Sequence, residues 1–112
     1  MKTCKFMNGW IVKEKHINMV IHALEQGKRG NLYVYGYEVK VEISGAYDYE
    51  GAIDNLNGFY NNRIIKRTDD FVVMKAGTKY LVVDATMFCE TSSEKMDCDN
   101  YYNLDYLLQG KF

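Results

Sequence analysis

Asn8-Gly9 sits between Phe6-Met7 and Trp10-Ile11-Val12, and it is the sharpest local instruction in the chain. Asn-Gly between apolar residues favours a type I′ turn, because both central positions need positive φ. The sequence therefore predicts a hairpin, with strands near residues 3–7 and 10–14.

Downstream, the apolar period changes. Ile17, Val20, Ile21 and Leu24 fall at i, i+3, i+4 and i+7, which predicts a helix from His16 to Gln26. Gly27 stands where a C-cap is needed, and the bases Lys28 and Arg29 suit the helix dipole. From Asn31 to Ser44 the chain alternates. Tyr33, Tyr35, Tyr37, Val39, Val41 and Ile43 share one parity, while Glu38, Lys40 and Glu42 share the other. This predicts a half-exposed strand, with Gly36 marking a bulge or a turn. Ala52, Ile53, Leu56 and Phe59-Tyr60 have helical spacing, so a short helix over Tyr49–Tyr60 should end near Gly58. Strands follow over Arg63–Arg67, Phe71–Lys75 and Lys79–Asp84, the last two joined by a three-residue loop, Ala76-Gly77-Thr78. Phe88-Cys89 extends the last strand or starts another edge. Thr91-Ser92-Ser93-Glu94 reads as a loop leading to a final helix over Asp97–Gln109, closed by Gly110.

A chain of 112 residues matches one domain. The expectation is a single α+β domain over residues 1–112. Its mostly antiparallel sheet has about five to six strands, with two to three helices packed on one face. No apolar run approaches the roughly 20 residues of a membrane span, and no signal-peptide pattern opens the chain, so a cytoplasmic location without membrane contact is expected. Cys4, Cys89 and Cys98 are odd in number and lack CxxC spacing, which reads as three reduced thiols. Proline is absent, and lysine far outnumbers arginine. That usage suggests an A/T-rich coding genome, as in low-GC bacteria and their phages.

Each motif that suggests chemistry fails at a specific position. His16 and His22 are six apart and miss the i, i+4 geometry of a zinc helix. Glu38-Val39-Lys40 matches half of a metal-dependent nuclease site, but no aspartate precedes it. Asp97-Cys98-Asp99 opens like a calcium loop, yet Tyr102 and Leu108 replace the glycine and glutamate that such a loop needs. Gly27-Lys28-Arg29-Gly30 follows a helix, where a phosphate loop precedes one. The expectation is a protein that is not an enzyme and carries no cofactor and no metal.

Charge separates the two parts of the chain. Residues 1–45 carry seven Lys/Arg and four Glu, whereas residues 46–112 carry seven Lys/Arg and eleven Asp/Glu. Between Asp84 and Asp105, six acids face the single base Lys95. Tyrosines are interleaved with these acids, and tyrosine offers large contact area at low entropy cost. Asp97, Asp99, Tyr101, Tyr102, Asp105 and Tyr106 are therefore the candidate partner-binding residues on the final helix. Leu104, Leu107 and Leu108 should anchor that helix to the sheet. The expected function is a small protein-binding module that occludes a basic, nucleic-acid-binding protein surface. Phage or mobile-element inhibitors of the anti-CRISPR or other anti-defence type have this character, although no family motif is matched. The alternative is a single-stranded nucleic-acid-binding protein using Tyr33, Tyr35 and Tyr37 with Lys13, Lys15, Lys28, Arg29 and Lys40. Against that alternative, aromatic packing in the core is the commoner use of such tyrosines.

Overall fold

The computed structural model describes residues 3–89 and 101–110. Six strands form one sheet: β1 (Thr3–Lys13), β2 (Gly36–Asp48), β3 (Ile64–Arg67), β4 (Phe71–Ala76), β5 (Lys79–Cys89) and β6 (Tyr101–Asn103). Their order is β3-β4-β5-β1-β2-β6, antiparallel throughout except for the parallel β2–β6 pair. Helices α1 (Glu14–Glu25), α2 (Gly30–Tyr35), α3 (Tyr49–Tyr60) and α4 (Leu104–Leu108) complete the described residues. The class is α+β, as the sequence predicts. Among the described residues there are four helices rather than two to three, and they cover both faces of the sheet rather than one.

The sequence pattern explains the two-sided cover. On one face Met7, Ile11, Val39, Val41 and Ile43 pack against Ala52, Ile53 and Leu56 of α3 and the three leucines of α4. On the other, Trp10, Val12, Phe71, Val73 and Val82 pack against Ile17, Val20 and Leu24 of α1 and Leu32 of α2. Strands buried on both faces read as continuous apolar runs. Phe71-Val72-Val73-Met74 and Leu81-Val82-Val83 are such runs, and every one of these side chains is buried.

The first correction is at Asn8-Gly9. No hairpin forms there. β1 passes straight through, with Asn8 opposite Lys40 and Gly9 opposite Val39 on β2 and Val83 on β5. Positive φ among the described residues occurs only at Gly27, Gly45, Gly77 and Gly110. β1 is a central strand, so ladder pairing on both edges outweighs the local turn preference. Gly9 serves a different end. A Cβ there would lie 3.1 Å from Leu81 Cδ1 and 3.2 Å from the Val82 carbonyl oxygen. The β1–β5 register shifts between Met7 and Gly9, as glycine in a strand often signals.

The second correction is at residues 31–35, which are helical rather than extended. Gly36 is the boundary between α2 and β2, and the alternation holds only from Val39 onward, where Val39, Val41 and Ile43 are buried. The third is the final helix, discussed below. The fourth is small. Ala76 pairs with Lys79, so the β4–β5 hairpin has the two-residue loop Gly77-Thr78. Glycine with φ +64° at its first position and no positive φ at the second fits a II′ turn.

Helix α1 forms where its stripe predicts and ends in a Schellman motif. Lys28 N–H donates to the Ala23 carbonyl and Gly27 N–H to that of Leu24, with Gly27 at φ +73°. The next residue, Arg29, reaches back to Asp84 of β5, a carboxylate with no exposed surface. A buried charge requires such a partner. The Gly27–Gly30 segment thus caps α1 and ties the α1–α2 connection to the sheet. Helix α3 starts at Asp48, whose carboxylate accepts the Gly51 N–H at 2.6 Å. It continues two residues past the predicted stop at Gly58.

Candidate functional site

The predicted final helix is divided in two. Tyr101–Asn103 pair with Lys40–Glu42 as β6, and only Leu104–Leu108 are helical. Asn103 caps α4 by accepting the Asp105 N–H at 2.9 Å. Five residues cannot hold a helix in water. Burial of Leu104, Leu107 and Leu108 does so, at roughly 1.5–3 kcal/mol for each side chain. Both ends of α4 are also held from α3 and the segment after it. The Tyr60 hydroxyl donates to Asp105 Oδ1 at 2.7 Å, and Arg63 donates to the Leu108 carbonyl.

Helix α4 touches β4, β2 and β6, although β5 and β1 lie between them in the strand order. In a flat sheet β4 and β6 would be roughly 19 Å apart, while five helical residues span only ~7.5 Å. The sheet therefore cannot be flat where it meets α4.

Four of the six predicted site residues fall among the described ones. Tyr101 begins β6. Tyr102 lies on the face of β6 that meets the core, opposite Val41, and is half-buried. Asp105 is exposed in the first turn of α4, and Tyr106 is 43% exposed. The Tyr102 and Tyr106 rings stack, with centroids 6.0 Å apart and planes 6° apart. Tyr101 and Tyr102 do not lie on the final helix, since both are extended in β6. Strand alternation followed by one helical turn brings Tyr102 and Tyr106 together instead. Asp97 and Asp99 lie outside the described residues, as do Cys98, the calcium-like segment and the Thr91–Glu94 loop.

Phe59 and Tyr60 join this surface. Phe59 is 72% exposed, the most exposed large apolar side chain described. It lies at the margin of the Ala52–Ile53–Leu56 stripe, where periodicity alone reads it as core. Its ring centroid is 6.5 Å from that of Tyr60. Ile43, Asn55, Phe59, Tyr60, Leu104 and Asp105 line a cleft of about 350 Å³. Burial, followed by the hydrogen bond and charge of Asp105, pushes the Tyr60 hydroxyl up to about 12. Across α3 a second cleft carries Glu50, Asp54, Asp69 and Asp70 against Arg67, which pairs with Asp54 at 2.9 Å. Sequence reasoning missed Phe59, Tyr60 and Asn55. Their signal was an aromatic pair at a helix end followed by polar residues.

The tyrosines of the alternative reading divide. Tyr33 and Tyr37 are 60% and 55% exposed, although Tyr33 meets Trp10 edge-on, whereas Tyr35 is half-buried against His16 and the Trp10 core, and the three do not share a strand face. Lys13, His16, Val34, Tyr35 and Tyr37 border a cleft of about 250 Å³. Glu38 is exposed beside buried Val39, on the same face of the sheet as its β1 partner Trp10. Among the described residues no three His, Cys, Asp or Glu side chains come together to hold a metal, and no helix is long and apolar enough to cross a membrane. Comparison of the chain with protein-family models, with curated proteins and with solved structures gives no match.

Proposed function

We propose that this protein is a non-enzymatic binding module that docks, through the surface formed by the end of α3, β6 and α4, onto a basic protein surface and occludes it. One observation carries the reading. The Tyr102 and Tyr106 rings stack, and Asp105, next to Tyr106 on α4, accepts the hydroxyl of Tyr60, whose neighbour Phe59 is exposed. Aromatic anchors supply most of the energy of protein interfaces, and acids steer a basic partner. A nucleic-acid-binding surface of a host defence enzyme is the kind of target such a patch suits, and an anti-defence role in a phage or mobile element follows from it. The test is capture from host extract with wild-type protein and a Tyr106→Ala/Asp105→Lys variant. Loss of a central aromatic costs roughly 2 kcal/mol, about 30-fold in Kd. A variant that keeps its circular dichroism spectrum and still holds the captured protein at wild-type strength refutes the surface.

A second reading has its own observation, the exposure of Tyr33 and of Tyr37, which borders a cleft with Lys13. Single-stranded oligonucleotide binding that weakens steeply with salt, and further with Lys13→Glu/Lys15→Glu, would favour it.

A further inference from the structure

We infer that the cleft between α3 and α4 seats the guanidinium of an arginine presented by the basic partner; this rests on the docking surface proposed above. The floor is apolar, made by Ile43 and Leu104, each only 2% exposed. Phe59 and Tyr60 stand as walls, their planes inclined at 50°. Among the described residues, the polar side chains at the cleft besides the Tyr60 hydroxyl are Asn55 and Asp105, and none is cationic. A pocket with aromatic walls, a carboxylate and an amide matches one side chain better than any other. Guanidinium is planar, stacks on aromatic faces and presents five N–H donors in a fixed fork. Its methylene stem can lie along Ile43 and Leu104 while the head meets Asp105 and the Asn55 amide oxygen. A lysine ammonium is a strongly hydrated point charge and uses the ring walls less.

The Tyr60–Asp105 hydrogen bond prepares this seat. Asp105 Oδ1 accepts the Tyr60 hydroxyl at 2.7 Å, and a carboxylate has lone pairs for further donors. The phenol thereby orients the carboxylate without neutralising it. A volume of about 350 Å³ is near the lower end for small-molecule sites, roughly 300–1,000 Å³, and suits a single long side chain. The carboxylates Glu50, Asp54, Asp69 and Asp70 across α3 add an attractive field for a basic surface.

The test titrates ¹⁵N-labelled full-length protein with a blocked tetra-arginine peptide and with a tetra-lysine peptide of equal length and charge. Expected are shifts of the Asn55, Phe59, Tyr60 and Asp105 amides with the arginine peptide, and at least about 3-fold weaker binding of the lysine peptide. Phe59→Ala, a change at an exposed position, should abolish the arginine preference, and Asp105→Asn should weaken both peptides. Equal affinity for the two peptides, or shifts confined to other residues, overturns the arginine seat. If the arginine preference is absent while Tyr106→Ala still weakens capture of the protein partner, the docking surface stands and only the seat falls. If neither peptide perturbs this face and capture ignores Tyr106, both fall.

Discussion

Gly36 and Gly58 should respond to alanine with opposite signs. Gly36 joins α2 to β2 at φ −123°, ψ 153°, a conformation open to any residue, so backbone strain plays no part. Its cost is steric. A Cβ at Gly36 would lie 2.8 Å from the Leu32 carbonyl oxygen and 2.9 Å from Trp10 Cβ. Neither atom is the end of a flexible chain, and Trp10 is fully buried in the central strand. Overpacking of this kind costs ~1–3 kcal/mol, against ~0.4–1 kcal/mol returned by the less flexible unfolded chain. Two contacts under 3.0 Å put the cost toward the upper end, so the net should be about 2 kcal/mol of destabilisation, which for a domain of this size lowers Tm by roughly 8 °C. At Gly58, inside α3, an added Cβ meets nothing within 4 Å. Alanine should stabilise there by ~0.5–1 kcal/mol through helix propensity. Urea unfolding followed by Trp10 fluorescence, with the slope held equal across variants, measures both. Gly36→Ala within about 0.5 kcal/mol of wild type, or Gly58→Ala as harmful as Gly36→Ala, would refute the packing at the α2–β2 junction.

Two further outcomes are expected. Tyr60 should be among the last tyrosines to ionise in an alkaline absorbance titration. Its folded pKa, raised from 10.0 to about 12, gives stability that is fully present below pH 10 and lost as pH rises toward 12. Tyr60→Phe should remove that dependence. Arg29→Ala removes one charged partner of fully buried Asp84 and should destabilise the fold by ~1–3 kcal/mol, with Arg29→Lys recovering part of it; equal stability of all three proteins in thermal melts would show that the pair is dispensable.

Much of the secondary structure was legible because it is encoded within a few residues. The α1 stripe with its Gly27 cap, the α3 period, the β4–β5 hairpin and the leucine anchor of the last helix all rest on contacts between near neighbours or on glycine φ. Of the candidate surface, the sequence named Tyr102 and Tyr106 but placed them on one helix, whereas their rings stack between a strand and a helix. What failed has one cause. Asn8-Gly9 is a turn sequence in isolation, but pairing to β2 on one side and β5 on the other extends it into mid-strand. Tyr33 to Tyr37 alternate like a strand, yet the close approach of Gly36 to Trp10 ends one element and begins another. Tyr101-Tyr102 have helical spacing to Leu104 and Leu108, but the open edge of β2 takes them as β6. Phe59 has core spacing, yet the folded chain leaves it exposed at the rim of a cleft with Tyr60 and Asp105. Local periodicity determines which residues can be buried. Long-range strand pairing decides which faces exist to bury them, and that information lies in residues thirty to seventy positions away.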